Sequence, residues 1–379
     1  MSGSTPDASA VHPSGSGPAG HGPVPPDSPV PGPQTPAPGT PGGPASPDEG
    51  RAETGGRSAL GSAGGAVLRL RELSVLVVVI VLAAYFAVAN SAFLSGDNLG
   101  NIANLTSASA MLAAGEVLLL VCGEIDLSVG MTFALTPIVM MWFDARGVPM
   151  PLALLIALLV AGLIGAFNGL ATVMLRLPSF ITTLGTLFLI HGITLQVSGS
   201  FPVPAPTQGL LVQVLGGWHW SELVWAVAIV VVLQVLLVNT RWGVSTVATG
   251  GHMLAASEAG IRVREIKVRN FVTAALIAGL AGVIEGIHVS QSFDPNAGGN
   301  ELMFTAVASA VIGGTALLGG SGTVAGAFLG ALLLGILQNG LTLQGYSATT
   351  FITIEGVAIL LAMALNTRLS RLRTGAKAA

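Results

Sequence analysis

The feature that most constrains this chain is a series of apolar segments, most of them near the ~20 residues a helix needs to cross the hydrocarbon core of a bilayer. They fall at roughly 72–94, 102–122, 127–143, 151–175, 180–197, 222–238, 270–289, 303–318, 323–343 and 348–366. Only closed barrels and helices satisfy their backbone groups in lipid, and segments of this length and apolarity predict helices. The expected fold is therefore an all-α multi-pass membrane protein of about ten transmembrane helices. Charged residues are 9% of the chain, against about 25% in soluble domains. The segments at 127–143, 222–238 and 303–318 are short, which predicts tilted, re-entrant or broken helices there.

Charge placement orients these segments. With the N-terminus inside, Arg51, Arg57, Arg69, Arg71, Arg176, Arg241, Arg262, Arg264, Lys267, Arg269, Arg368, Arg371, Arg373 and Lys377 share the cytoplasmic side. Arg146 alone lies outside, a strong positive-inside bias that predicts ten spans with both termini cytoplasmic. Residues 1–65, rich in Pro, Gly and Ser, cannot bury enough apolar surface to offset chain entropy and read as a disordered tail. A transmembrane domain over 66–367 and a basic cytoplasmic tail over 368–379 follow. Within the domain, residues 239–269 form the longest polar interruption and hold five of the fifteen basic residues.

Several kinds of chemistry are excluded. There is no HExxH or GxSxG motif, and the six histidines lack metal-ligand spacing, so no catalytic or metal residues are expected. Cys122, the single cysteine, excludes an internal disulfide and reads as packing. No basic stripe with interleaved aromatics points to nucleic acid. Neither of the two lysines, Lys267 and Lys377, follows a glycine, so there is no GxxxxGK[ST] loop. If the protein moves something with ATP, the ATPase is a separate chain.

The most polar interruption near a span end is GEIDLSVG, Gly123–Gly130. Asp126 can cap the following helix, or the break can border a solvated path. Glu116, His191, Glu285, His288 and Glu355 lie within spans and must face a bundle interior, a partner or water. Gly322, Gly326 and Gly330, and likewise Gly279, Gly282 and Gly286, put small residues on one helix face for close packing. The Gly313–Gly326 run reads as a tight cytoplasmic turn, and 198–221 and 290–302 as outside loops. GAFNGL around Asn168 echoes GILQNGL around Asn339, which fits two inverted five-span halves.

Four stretches together resemble the membrane permease subunit of bacterial ATP-binding-cassette importers of the ribose/sugar type. They are GEIDLSVG, LPSFITTLGT (Leu177–Thr186), the central GG…AASEAGIRVREIKV, and VIGGTALLGGSGTVAGAFLGALLLGILQNGL. The likeness runs from about 72 to 366 in the same order. It implies a non-enzymatic, type II-like permease in the bacterial inner (plasma) membrane. It also implies a second permease copy, an ATPase subunit that holds the ATP and Mg, and an extracytoplasmic sugar-binding protein; no cofactor is expected in this chain.

The resemblance also assigns residues. Gly250–Ile261 looks like the coupling segment that docks in a groove of the ATPase, with Gly250, Gly251, Leu254, Ala255, Ala256, Glu258 and Gly260 as its docking residues. Residues 254–259 suit a short helix and Gly260 its end; Glu265 and Arg269 form a favourable i,i+4 pair. Gly123, Asp126, Ser128, Thr182, Thr183 and Gly185 are expected on or near the translocation path. The chain departs from the family pattern at His252, where Asn is common, and at Leu254, His191 and Glu355. Permeases for nucleosides or branched-chain amino acids, an ion-coupled secondary transporter and a scaffolding membrane protein stand as alternatives.

Overall fold

A computed structural model of the protein describes residues 56–347 and 349–361, with side chains from residue 72 onward. Most of the expected tail, and the basic segment 368–379, lie outside the described residues. The helices are α1 (Gly56–Ala89), α2 (Gly96–Val121), α3 (Val129–Asp144), α4 (Met150–Met174), α5 (Ser179–Ser198), α6 (Leu210–Leu215), α7 (Ser221–Asn239), α8 (Arg241–Gly251), α9 (Met253–Glu258), α10 (Val263–Glu285), α11 (Asn300–Ile312), α12 (Val324–Leu343) and α13 (Thr349–Leu361). A π-helical turn, Gly286–Ser290, extends α10. α1 begins inside the stretch assigned to the tail. No proline follows Pro47 until Pro137, so nothing there interrupts helical hydrogen bonding.

Among the described residues, seven helices are long and apolar enough to cross a membrane: the Glu72–Ala89 part of α1, α2, α4, α5, α7, α10 with its π turn, and α12. Three shorter apolar helices, α3, α11 and α13, occupy the remaining segments. The segment at 222–238, expected to be short, is the full 19-residue α7. The chain is not wholly helical either. β1 (Val203–Pro204) and β2 (Ser292–Phe293) pair antiparallel, joining the two loops expected outside. Two-residue strands, one containing proline, carry no periodicity that could announce them.

α2 is the axis of the bundle. Of its apolar window 89% is buried, against 22% for α4 and 17% for the membrane part of α1. Its residues Met111–Val121 form the centre of the main apolar core with α3 and α10, and a smaller core gathers α1, α12 and the start of α2. Contacts repeat between the halves: α4 packs on α10 as α12 packs on α2, α3 on α10 as α11 on α2, and α3 on α4 as α11 on α12. Small residues permit the approach. A Cβ on Gly165 of α4 would lie 2.5 Å from the Phe271 carbonyl oxygen on α10, and one on Gly335 of α12 would lie 2.5 Å from Thr106 Oγ1 on α2. Gly279 and Gly282 likewise abut α3, and Gly330 abuts α11, as the spacing predicted.

Candidate functional site

The helix break and the central polar segment, 110 or more residues apart in sequence, meet at one junction. α2 ends at Val121, and Gly123 turns the chain with φ +82°, a conformation that favours glycine. The next residues are held from within. Ser128 N–H (2.8 Å) and Oγ–H (2.6 Å) both donate to Asp126 Oδ1. Asn168 Nδ2 on α4 donates to Ser128 Oγ at 2.8 Å and reaches the Asp126 carboxylate at 3.3–3.4 Å. Asp126 is therefore the acceptor of a buried nest rather than a side-chain cap of α3, whose N-cap residue is Ser128 and makes no capping bond.

α5 fastens the other side of the break. The Leu127 N–H donates to Thr183 Oγ1 (3.1 Å) and the Ile125 N–H to Ser179 Oγ (3.2 Å). Of the residues expected on the path, Asp126, Ser128 and Thr183 are thus fully buried and structural in this conformation. Thr182 is half-buried, Gly123 is exposed, and Gly185 has nothing within 4 Å of a Cβ built on it.

The central segment is helical. α8 starts under a Thr240 cap, whose Oγ1 accepts from Gly243 N–H at 3.2 Å. α9 is capped by His252, whose Nδ1 accepts from Ala255 N–H at 3.1 Å. This explains how histidine serves where asparagine is common: it offers a ring nitrogen as acceptor in the same place. Gly260, at φ +84°, follows the end of α9 as expected. Glu265 pairs with Arg262 at 2.8 Å and Arg269 at 3.7 Å. Ala256 faces inward, while Met253 and Leu254 are exposed apolar residues and Ala255 and Glu258 are also exposed.

Three contacts bind this segment to the break. Gly250 lies so close to the end of α2 that a Cβ would meet the Val121 carbonyl oxygen, and the Gly320 N–H donates to that same oxygen at 2.8 Å. Asn270 takes a hydrogen bond from Trp242 Nε1 of α8 at 2.8 Å and gives one to the Leu118 carbonyl of α2 at 3.1 Å. Lys267, which topology treats as a cytoplasmic anchor, forms a largely buried ion pair with Glu124 in the break. Sequence reasoning missed Glu124–Lys267 and Asn270 because their partners lie 143 and 152 residues away. The available hint was no more than Lys267 and Asn270 among the charged residues that open α10. Beside the junction a groove of about 1110 Å³ opens between Arg176, Leu177, Leu254, Ile261 and Arg264.

A second polar region lies further along α2. Asn104 and Ser109 border a cavity of about 500 Å³ shared with Glu285, Asn300, Glu301 and Gln338. The separation from the junction is about 20 Å, given a rise of about 1.5 Å per residue. His191 bonds Asn296 (3.1 Å), and Glu355 accepts from Thr305 Oγ1 (2.6 Å), so these two departures from the family pattern are both engaged near this cavity. No cluster of three or more metal-ligating side chains occurs among the described residues.

Comparison with known proteins covers most of this architecture. Residues 98–364 match the family described as branched-chain amino acid transport system / permease component. The chain is 36% identical to the xylose/arabinose import permease protein XylH of Sulfolobus acidocaldarius, over 79% of this chain and 86% of that protein. It is 35% identical to the ribose import permease protein RbsC of Escherichia coli K12, over 79% and 94%. It is 34% identical to the autoinducer 2 import system permease protein LsrC of an Enterobacter species, over 81% and 90%. No solved structure matches.

Proposed function

Because the chain belongs to the family of branched-chain amino acid transport system permease components, we propose that it is the membrane subunit of an ATP-binding-cassette importer for a monosaccharide of the ribose, xylose or galactose kind. The observation that carries the cargo is that near full-length relatives are import permeases, two of them named for sugars. In this reading the chain crosses the inner membrane ten times with both termini in the cytoplasm, a topology that the fourteen-to-one distribution of basic residues supports. It pairs with a second permease copy. ATP and Mg bind a separate ATPase subunit, and an extracytoplasmic binding protein delivers the sugar.

The junction is the mechanical centre of this reading. Gly250–Gly260 offers the ATPase a surface built on the exposed Leu254 and its neighbour Met253, with Ala255 and Glu258 beside them. Ala256, buried beneath, holds α9 to the protein. A displacement of this segment has short routes into the membrane. The ion pair Lys267–Glu124 and the amide of Asn270 connect it to the break at the end of α2, and the break is bonded to α5 through Ser179 and Thr183. Gly123, Thr182 and Gly185 then lie on surfaces that the motion re-aims, while Asp126, Ser128 and Thr183 keep the break in shape. A neutral sugar needs hydroxyl and amide groups along its way, not a charged site.

Reconstitution with the ATPase and the binding protein in proteoliposomes tests the reading. Aldose uptake is expected only with ATP inside; uptake by this chain alone, driven by a proton or sodium gradient, would replace the importer by a secondary transporter. Leu254→Arg is expected to lower ATP-driven uptake about tenfold or more, as loss of a docking anchor does, with membrane insertion unchanged.

A further inference from the structure

Among the described residues, two acidic side chains are fully buried with neither carboxylate oxygen in a hydrogen bond: Glu116 on α2 and Glu222 on α7. Glu116 is the sharper case. It lies on the most enclosed of the long helices, and its neighbours Val117–Val121 belong to the main apolar core. An uncompensated carboxylate is strongly unfavourable in such surroundings, so the position calls for a positive partner. No lysine or arginine supplies one. Lys267, the base at the junction, is committed to Glu124.

The charged group that faces Glu116 is Asp126, through both its carboxylate and its backbone. That second carboxylate is already matched by donors: Ser128 gives it an N–H and an O–H, and Asn168 gives it an amide N–H. The other amide atom of Asn168, Oδ1, is buried and accepts from no donor. Because Nδ2 of the same amide rests on Asp126, Oδ1 belongs to this cluster. One turn further along α4, Thr172 Oγ1 is also buried without a partner, and Thr172 borders the groove of about 1110 Å³ beside the junction. The cluster therefore combines unserved oxygens with one excess negative charge. Water could donate to the oxygens but would leave the charge. A proton would cancel the charge but serve a single acceptor, whereas a metal cation serves several oxygens at once. Both α2 and α4 direct their C-terminal, electronegative ends toward the break. Helix ends of this kind beside an unwound stretch suit monovalent cations in membrane proteins.

We propose that Glu116, Asp126 and Asn168 form a binding site for one alkali-metal cation, entered from the groove past Thr172. A single charge fits, since the donors around Asp126 leave only Glu116 to be neutralised. The ion is held, not carried, and it fastens the break to α2 and α4 whatever the cargo of the protein.

The test uses the full-length chain in lipid nanodiscs at neutral pH and constant ionic strength. Its thermal midpoint is compared in sodium, potassium and choline chloride. Sodium or potassium, at about a hundredfold its Kd, is expected to raise the midpoint by about 5 °C over choline. Glu116→Gln, which keeps the shape of the side chain and removes its charge, is expected to abolish the difference. Glu222→Gln, at the other unpartnered buried acid, is expected to leave it intact. Equal midpoints of the wild-type chain in all three salts overturn the proposal, as does a difference that survives Glu116→Gln or disappears in Glu222→Gln. A midpoint that responds to pH but not to the choice of cation also overturns it, by giving the site to a proton. Binding of radiolabelled sodium and rubidium to the wild-type chain by scintillation proximity gives a readout that needs no variant to fold. One saturable ion per chain is expected, and no saturable binding of either ion refutes the site.

Discussion

The two halves of the bundle share a packing plan but use their matching asparagines differently. Asn168, on α4, belongs to a nest in which a carboxylate gathers three donors around a broken helix. Asn339, on α12, faces Asn98 of α2 in a reciprocal amide pair, 2.9 Å one way and 2.8 Å the other. The first arrangement holds a helix interruption together, and the second fastens one continuous helix to another. The difference teaches that a repeated sequence element can keep its packing role while only one copy supports a break next to the central polar segment.

The comparison breaks most visibly at the carboxylate. Asp126→Ala would strand the buried Ser128 N–H and hydroxyl, and is expected to cost about 3 kcal/mol, read as a lower thermal midpoint of the purified protein. A loss below that of the Asn339 variant would mean the nest is not what holds the break. Next come the helix contacts. Gly165→Ala drives a Cβ into the Phe271 carbonyl, which cannot move aside, whereas Gly335→Ala meets the movable Thr106 side chain. We expect about 2 kcal/mol for the first and about 1 kcal/mol for the second; equal losses would show the two interfaces to be alike.

The amide pair gives a finer test. Asn339→Leu leaves Asn98 partly unpaired and is expected to cost about 1–2 kcal/mol, while adding Asn98→Leu should recover much of it. Additive losses in this double-mutant cycle would deny the pair its reciprocal character. The smallest effect is expected at Arg262→Ala, whose exposed ion pair with Glu265 contributes less than about 0.5 kcal/mol; a larger loss would give the surface of the central polar segment a structural role.

Legibility followed the range of the interactions. Apolar length located every long helix, and local chemistry located the break at Gly123 and the end of α9 at Gly260, because a single residue's conformation decides each. The close-packed glycines were readable for the same reason, since spacing alone puts them on one face. What stayed hidden depends on partners far away in the chain. Nothing local to Lys267 distinguishes a buried partner of Glu124 from a solvated anchor, and nothing local to Asn104 or Gln338 places them at one cavity. His252 is an instructive middle case: it departs from the pattern of the family, yet its ring nitrogen fills the capping role, and only the geometry of α9 reveals that.

The burial of α2 has a further consequence, for the bilayer. Membrane helices answer a change of hydrocarbon thickness by tilting or by thinning the lipid around them. With 89% of its window enclosed, α2 has almost no boundary with lipid, whereas α4 and α7 expose rows of leucine and valine. Thicker or thinner membranes should therefore tilt the outer helices and leave α2 in register. The distance between the junction and the cavity, both carried on α2, would then be set by the protein and not by the lipid in which it sits.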